Sequence, residues 1–356
     1  MASRGNERRR FVLSRQQAQT GRQERRRPES FRCFFVEQVG QDVHGDVQER
    51  PFDELPPGEV LIRVSHSSLN YKDAMAATGH RGIVKTFPHV PGIDAAGVVV
   101  ESSDPGFRPG DQVIATGREI GVERWGAWAE YLRVPAAWVQ PVPEGLNGFE
   151  AMVLGTAGFT AAQCVAALVE HGIEPDHGEI VVTGATGGVG SLAIRILSTL
   201  GYRVAAVSGK ESQATWLREQ GASRVVSRQE FVEMSSRPLL TTAWAGGIDT
   251  VGGQALSTMI RAMQHRGCVA ACGVVGGAEL PLTVYPFILR GVTLAGIDSA
   301  WCPDDRRGEI WRRVGQEWKP AGLEQLATVV PLSDVQESVR AMLAGEVVGR
   351  TVVVVG

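Results

Sequence analysis

The segment Glu179–Gly190 reads EIVVTGATGGVG and decides the fold. Its apolar start predicts a buried strand, Gly184 permits a tight turn, and a helix is expected to begin near Gly188. Gly187 would let the backbone approach a pyrophosphate, and the free N–H groups at the start of the helix would face that anion. The spacing is GxxGxxG rather than GxGxxG, so the flanking strand and helix also support the prediction of a dinucleotide site. The alternative is a glycine-rich turn that binds no ligand.

Strands and helices alternate on the carboxyl side of this loop. The predicted elements are helix 188–200, strand Arg203–Ser208, helix 211–220, strand Arg224–Val226, strand Gly247–Val251, helix 253–264 and strand Gly267–Cys272. This rhythm is typical of βαβ units and predicts an α/β fold with a doubly wound parallel sheet.

The segment before this sheet, residues 31–150, is different in character. It is rich in short apolar runs such as Glu59–Val64, separated by Pro, Gly and Asp turn signals, which predicts a twisted or barrel-like β domain. An alanine-rich, helix-forming stretch begins near residue 151. A helix near 333–344 and the strand Arg350–Val355 end the chain.

The end of the predicted strand Arg203–Ser208 indicates which dinucleotide binds. A site for NAD usually has an acidic residue here, which holds the ribose hydroxyls. This chain has Ser208, Gly209 and Lys210 instead, a hydroxyl and a cation that suit the 2′-phosphate of NADPH. The alternative for Lys210 is an exposed lysine at the start of a helix.

Composition excludes several classes of protein. The chain has 356 residues, 43% hydrophobic and 21% charged, which is ordinary for a globular protein of two domains. Its net charge of −3 argues against nucleic acid as the main partner, and its apolar runs predict no transmembrane helix. The five cysteines are scattered, which predicts no disulfide framework and a reducing, cytoplasmic location.

Residues 1–30 differ from the rest, with nine Arg and three Glu. So few large apolar residues cannot bury enough surface to order the segment, and we expect a disordered extension or a start codon placed too early. The alternative is a basic arm for nucleic acid or a membrane surface.

The chain is similar to a known family through many ordered motifs. It resembles the zinc-free, quinone-oxidoreductase-like branch of the medium-chain dehydrogenases/reductases, which includes NADPH-dependent acrylyl-CoA reductases. The motifs are NYKDA (70–74), PGIDAAG (91–97), GTAGFTAA (155–162), VTGATGGVG (182–190), AVSGKES (206–212), WAGGIDTVGG (244–253), GCVAACG (267–273), PFILRGVTLAGIDS (286–299) and GRTVV (349–353).

The resemblance implies a GroES-like catalytic domain, 31–153 completed by 297–356, and a Rossmann domain, 154–296, usually in a homodimer. It implies NADPH-dependent reduction of the conjugated double bond of an enoyl thioester, acrylyl-CoA to propionyl-CoA. The alternatives are a reductase of quinones or small enones, and an NADPH-binding protein without catalytic activity.

The resemblance also implies that no metal is bound. Many members of the superfamily hold a catalytic zinc, which needs Cys, His and acidic ligands. The position of the cysteine ligand falls near Asn70–Asp73 here, and the Gly-His-Glu signature appears as Gly92-Ile93-Asp94. Thiolate and imidazole are therefore both missing from these positions.

Several cofactor positions carry over from the family. Val274 and Ile288 could equally be core residues, and Arg228 could be a surface charge. The positions implied are Tyr71 beside the nicotinamide, Thr186, Gly187, Gly188 and Val189 at the pyrophosphate, Ser208, Gly209, Lys210 and Arg228 at the adenosine phosphate, Val274, Ile288 and Ser299 on the nicotinamide side, and Arg350 as a carboxyl-terminal contact.

The reduction needs a hydrogen-bond donor for the thioester oxygen and a proton for the α-carbon. Asn70 and Tyr71 follow a predicted strand, where such donors would be placed, and Tyr71 is the candidate proton donor, with water as the alternative. Lys72 and Asp73 are expected to form a structural pair. Cations that could face the phosphates of a CoA substrate are Arg81, Lys85, Arg118 and Arg124.

Overall fold

The computed structural model describes residues 28–356, and residues 1–27, most of the predicted disordered extension, lie outside the described residues. The strands are β1 (Ser30–Val39), β2 (Asp42–Pro51), β3 (Val60–Leu69), β4 (Asp94–Ser102), β5 (Gln112–Thr116), β6 (Tyr131–Val134), β7 (Val139–Pro141), β8 (Glu179–Val182), β9 (Arg203–Ser208), β10 (Arg224–Ser227), β11 (Trp244–Asp249), β12 (Met263–Ala271), β13 (Thr293–Gly296), β14 (Ala327–Pro331) and β15 (Arg350–Val354).

The helices are α1 (Tyr71–Ala77), α2 (Gly148–Glu170), α3 (Gly188–Thr199), α4 (Ala214–Glu219), α5 (Arg228–Phe231), α6 (Gly253–Arg261), α7 (Tyr285–Arg290), α8 (Asp304–Gly315) and α9 (Val335–Leu343).

The six-stranded sheet has the order β10-β9-β8-β11-β12-β13, and every neighbouring pair is parallel. Its strands are apolar because helices cover both faces, as expected of a parallel sheet. The strand order reverses between β8 and β11, and the loop after β8 therefore lies at the switch point where such sheets bind nucleotides. The predicted doubly wound Rossmann sheet is confirmed.

The seven-stranded sheet draws on both ends of the described chain. Its order is β14-β15-β3-β4-β5-β7, with β6 also paired to β3. The pairing of β15 with β3 is antiparallel and places Thr351 opposite Leu69. This is the β-rich, GroES-like part that the sequence predicts; the exact domain limits, 31–153 with 297–356 and 154–296, stay a prediction.

Helix α2 connects the two sheets and is broken at Gly155, whose φ of 50° and ψ of −156° are not helical. It packs against β3, β4, β5 and β15 on one side and against β11 and β12 on the other. Among the described residues, α2 alone has the length and mean hydropathy to cross a membrane, but 78% of its most apolar part is buried inside the molecule.

Two predicted helices are shorter than expected. The helix predicted at 211–220 consists of a 3-10 turn at Glu211–Gln213 followed by α4. The helix predicted at 253–264 ends at Arg261, because β12 already begins at Met263, which pairs with Trp244 across an irregularity in β11.

Candidate active site

The glycine loop after β8 makes the turn that its sequence predicts. Gly184 has a φ of +58°, and a Cβ there would lie 2.1 Å from Thr250 Oγ1. A Cβ on Gly190 would lie 2.4 Å from the carbonyl oxygen of Gly184, so the first turn of α3 packs directly on the loop. Gly187 is the N-cap and has no side chain with which to cap the helix. The first N–H groups of α3 therefore remain available to an anion.

The segment before β15 closes over this loop. The N–H of Gly349 donates to the carbonyl oxygen of Thr186 at 3.0 Å. Two residues further along the loop, a Cβ on Gly188 would lie 2.9 Å from Arg350 Nη1. The carboxyl-terminal strand thus brings Arg350 against the glycine loop; its role as a coenzyme contact, which the resemblance implies, stays a prediction.

Arg350 is a buried cation with one unused donor group. Its Nε donates to the carbonyl oxygen of Val153 at 2.8 Å and its Nη1 to Asn70 Oδ1 at 3.2 Å. Its Nη2 has no hydrogen-bond partner among residues 28–356, although Arg350 is only 3% exposed. Burial lowers the pKa of Arg350, and the nearby Asp94 and Asp73 oppose that shift. A buried guanidinium with a free N–H beside an uncapped helix fits a pyrophosphate.

The adenosine end of the predicted site lies at the carboxyl ends of β9 and β10. Ser208 is paired with Ser227 across the two parallel strands, and Arg228 directly follows the end of β10. A Cβ on Gly209 would lie 2.4 Å from Arg228 Nη2, so the guanidinium covers that glycine. The structure therefore brings Ser208, Gly209 and Arg228 together.

Lys210 completes this group. Its Nζ donates to the carbonyl oxygen of Val347 at 2.8 Å, which leaves two of its three N–H donors for a ligand. Burial lowers the pKa of Lys210, and Glu346 partly opposes this. Two cations and a hydroxyl at the carboxyl ends of β9 and β10 fit the 2′-phosphate of NADPH better than the bare ribose hydroxyls of NADH.

Asn70 and Tyr71 follow β3 of the seven-stranded sheet, and Asn70 contacts Arg350 beside the glycine loop. Asn70 is the N-cap of α1, and Tyr71, the first residue of the helix, is 48% exposed. Nδ2 of Asn70 donates to Asp94 Oδ2 at 2.9 Å, and it lies 3.0 Å from both Ser68 Oγ and Asp73 Oδ2. The amide of Asn70 is thus occupied within the protein, whereas Tyr71 is about half exposed and accessible to a ligand.

The prediction that Lys72 and Asp73 form a structural pair is wrong. Asp73 is fully buried and accepts from the backbone N–H groups of Ile93 at 2.8 Å and Gly92 at 3.1 Å, while Lys72 is exposed. Burial raises the pKa of Asp73 to about 7, with Asp94 adding to the shift. The backbone N–H groups of residues 92 and 93 satisfy the carboxyl group of Asp73, whereas pairing with Lys72 would require a second buried charge.

The three residues assigned to the nicotinamide side are less closely grouped. Val274 follows β12 and lines a cavity of about 550 Å³ at the carboxyl ends of β12 and β13. Ser299 lies after β13, where its carbonyl oxygen accepts from Arg307 Nη2 at 2.8 Å. Ile288 lies on α7 and is 67% exposed, so it is not a core residue in the single chain. Their roles beside a nicotinamide stay predictions.

Three of the four cations considered for a CoA substrate have protein partners. Lys85 pairs with Glu123 at 3.0 Å. Arg118 pairs with Asp304, and Arg124 donates to the carbonyl oxygen of Pro57 and lies over the ring of Trp138. Arg81 is exposed. These contacts favour structural roles for Arg118 and Arg124.

Residues 92–94 stand where the family's zinc-binding members have the Gly-His-Glu signature, and the side chains of Ile93 and Asp94 are buried here. Ile93 is 3% exposed, and Asp94 accepts hydrogen bonds from the chain itself. Within residues 28–356, the one group of metal-ligating side chains close enough to share an ion is Glu174, Asp176 and His177. That group is exposed and follows α2, away from the glycine loop.

Comparison with known proteins identifies the family to which this chain belongs. Residues 56–144 match the family described as alcohol dehydrogenase GroES-like domain, and residues 188–310 match the family described as zinc-binding dehydrogenase. The "Probable acrylyl-CoA reductase AcuI" of Escherichia coli is 47% identical over 321 residues, which cover 90% of this chain and 98% of that protein. The chain belongs to the medium-chain dehydrogenase/reductase family, in its quinone-oxidoreductase-like branch.

Two further relatives from this branch differ in name. The acrylyl-CoA reductase AcuI of Ruegeria pomeroyi is 45% identical over 307 residues, covering 86% of this chain and 93% of that protein. The "Putative quinone oxidoreductase YhfP" of Bacillus subtilis is 43% identical over 327 residues, covering 91% and 98%.

Solved structures of such medium-chain dehydrogenases/reductases superpose closely on this one. The yhdH oxidoreductase of Salmonella enterica in complex with NADP has a TM-score of 0.89 at 47% identity, covering 91% of this chain and 100% of that chain. Bacillus subtilis yhfP with NAD bound has a TM-score of 0.90 at 42% identity, covering 92% and 100%.

Sequence reasoning missed part of the polar group behind the active site of this dehydrogenase/reductase. The sequence motif identifies Asp94 only as the place of a missing zinc ligand, yet its carboxylate accepts hydrogen bonds from Ser68, Asn70 and Thr156. The signal was available, because a carboxylate within the apolar run GIDAAGVVV needs buried donors. Nothing in the sequence spacing identifies Ser68 and Thr156, which come from other elements, as those donors.

Proposed function

We propose that this protein catalyses the NADPH-dependent reduction of the conjugated carbon–carbon double bond of an enoyl thioester, converting acrylyl-CoA to propionyl-CoA. The observation that carries the proposal is the likeness to proteins named acrylyl-CoA reductase across 98% and 93% of their length.

The choice of NADPH is supported by Ser208, Lys210 and Arg228 at the ends of β9 and β10. Two positive charges and one hydroxyl at these strand ends suit the 2′-phosphate that distinguishes NADPH from NADH. The Salmonella relative with NADP bound agrees with this choice. The Bacillus relative has NAD bound, so direct measurement with both coenzymes is needed.

Bound NADPH supplies the hydride, and the chain supplies position and charge. The amino end of α3 and the buried Arg350 would neutralise the pyrophosphate. Tyr71, exposed at the start of α1, is the residue that we propose gives the proton to the α-carbon of the substrate, with water as the alternative donor. Asn70 would act by fixing Arg350 and the start of α1, because its side-chain amide is already occupied.

We propose that the reduction uses no catalytic metal. The support is chemical, since Asn70, Ile93 and Asp94 offer one amide, one hydrocarbon and one carboxylate already used by four donor groups. Elemental analysis of the purified protein tests this point, and stoichiometric zinc that is needed for turnover would overturn it.

A homodimer is the assembly that we propose. The strand β13 is the outer strand of the six-stranded sheet, and a group of apolar side chains beside it is strongly exposed. The members of this group are Val274, Val275, Val284, Tyr285, Ile288 and Leu289. A second copy pairing at this edge would bury both the strand and the apolar group. Light scattering of the purified protein and of a Leu289→Asp variant tests this, and a monomeric wild type contradicts it.

All five cysteines are free, which supports a cytoplasmic location.

The decisive experiment measures NADPH oxidation with acrylyl-CoA, crotonyl-CoA and a benzoquinone under identical conditions. We expect the largest kcat/KM with acrylyl-CoA. The second candidate, a quinone or small-enone reductase, is favoured by the relative YhfP and uses the same coenzyme site. A benzoquinone kcat/KM that exceeds the acrylyl-CoA value by orders of magnitude would establish the second candidate instead.

A further inference from the structure

Three segments of the chain meet at one buried carboxylate, that of Asp94. This residue begins β4 and is 0% exposed. Its Oδ2 accepts from Ser68 Oγ at 2.5 Å, from Asn70 Nδ2 at 2.9 Å and from the backbone N–H of Thr156 at 2.9 Å. Its Oδ1 accepts from Thr156 Oγ1 at 2.6 Å. The carboxylate therefore ties together the end of β3, the N-cap of α1 and the break in α2.

Asp94 fixes the direction in which the amide of Asn70 points. A carboxylate only accepts hydrogen bonds, and Nδ2 of Asn70 lies close to the carboxylates of both Asp94 and Asp73. The amide oxygen is then directed to Arg350 Nη1, at 3.2 Å. If the amide were reversed, its oxygen would face two carboxylates and its N–H groups would face a guanidinium. The orientation is thus set by charge as well as by shape.

Asp94 also satisfies the backbone at the break in α2. The non-helical Gly155 interrupts the helical hydrogen bonds, and the segment after it begins like a new helix with free N–H groups. The Asp94 carboxylate accepts both the N–H and the hydroxyl of Thr156, as an N-cap residue would. A Cβ on Gly155 would lie 2.5 Å from Asp94 Oδ2, which leaves room only for glycine.

We propose that Asp94 is a positioning residue of the reduction, acting through Asn70 on both Tyr71 and Arg350; this rests on the proposed function. Asn70 caps the helix that Tyr71 begins, and its amide oxygen holds Arg350, which lies against Gly188 of the glycine loop. One carboxylate therefore sets the distance between the proposed proton donor and the loop that holds the coenzyme. Asp94 itself touches neither substrate nor coenzyme and moves no proton.

The test compares Asp94→Asn and Asp94→Ala with Ser67→Ala as the matched control. Ser67 is also 0% exposed and donates to the main-chain oxygen of Asp94 at 2.6 Å, so its loss removes a buried hydrogen bond and leaves the carboxylate in place. Three quantities are measured: kcat with acrylyl-CoA, the kinetic isotope effect with NADPH deuterated at the transferred hydrogen, and the Kd of NADPH by titration calorimetry. The isotope effect does not depend on the fraction of folded enzyme.

We expect kcat to fall about tenfold in Asp94→Asn and further in Asp94→Ala, the size expected when charge-assisted hydrogen bonds are lost. The isotope effect should rise, because hydride transfer becomes slower than the other steps. The Kd of NADPH should change less than about threefold, because Arg350 keeps its charge and its bond to the carbonyl oxygen of Val153 in these variants. Ser67→Ala should keep kcat and the isotope effect within about twofold. Asp94→Asn preserves volume and provides the result if Asp94→Ala does not fold.

Two results would overturn the positioning role. One is a kcat and an isotope effect within about twofold of wild type in the Asp94 variants, and the other is an increase in the Kd of NADPH as large as the decrease in kcat. Wild-type turnover is measured first. A wild type that does not reduce acrylyl-CoA contradicts the proposed function, whereas an active wild type with unimpaired Asp94 variants contradicts only the role of Asp94.

Discussion

Replacement of Lys210 by glutamate should move the coenzyme preference from NADPH toward NADH. The ammonium group lies at the carboxyl end of β9 and keeps two N–H donors beyond its bond to Val347. At about 4 Å in a solvent-like environment, one pair of unit charges is worth about 1 kcal/mol. Reversing the charge changes that interaction by about 2 kcal/mol, even if only one unit charge is counted on the phosphate. This corresponds to a loss of roughly 30-fold in NADPH affinity.

The assay is steady-state kinetics with both coenzymes, together with the Kd of each. NADH has no 2′-phosphate, and a glutamate here can accept from its ribose hydroxyls, so its KM should fall or stay constant. Arg218→Glu is the matched control, because Arg218 is exposed on α4 and its replacement makes the same change in net charge. An unchanged NADPH/NADH ratio in Lys210→Glu, or an equal change in Arg218→Glu, would refute the assignment of the phosphate site.

Three other substitutions test separate parts of the structure. Tyr71→Phe should lower kcat by ~10²-fold if the hydroxyl gives the proton, and a change of only a few-fold would identify water as the donor. Gly155→Ala should lower the free energy of unfolding by at least about 2 kcal/mol, as seen in denaturant titration, because it combines a positive φ with contact against Asp94. Gly172 also has a positive φ but has open space around it, so Gly172→Ala is the control. An equal loss of unfolding free energy in Gly172→Ala would contradict a cost from the contact with Asp94. Burial raises the pKa of Asp73 to about 7, so its stabilising contribution is complete below the unfolded-state value near 4 and is lost as pH rises through 7. Asp73→Asn should therefore reduce the decline in stability from pH 4 to 7, and an unchanged decline would contradict the raised pKa.

Local chemistry was sufficient to predict the parallel sheet. A parallel sheet depends on contacts between neighbouring segments, and the period of the apolar residues reports those segments directly. The signals here are the run EIVV, the glycines that follow it and the spacing of the later strands. The start of β12 was less predictable. Met263–Arg266 contains Gln, His and Arg, and these residues become strand through pairing with β11 rather than through their own propensity.

The residues that we propose bind the phosphates could be chosen from the sequence because they follow strands at fixed offsets from the glycine loop. The buried network could not, because Ser68, Asp94 and Thr156 are brought together only by the packing of β3, β4 and α2. The pairing expected of Lys72 and Asp73 failed for the same reason. Adjacent residues at the start of a helix point to different faces, and Asp73 is directed to the turn at Gly92 and Ile93.

The shared position of α2 has a consequence for denaturation. A single helix contributes side chains to the hydrophobic cores beside both sheets, and its kink is tied to β4 by Asp94. Melting either sheet alone would expose one flank of this helix, so we expect both halves to lose structure in one cooperative transition. Calorimetry should then give a single endotherm, and a fragment that ends before Gly148 should not retain a native fold.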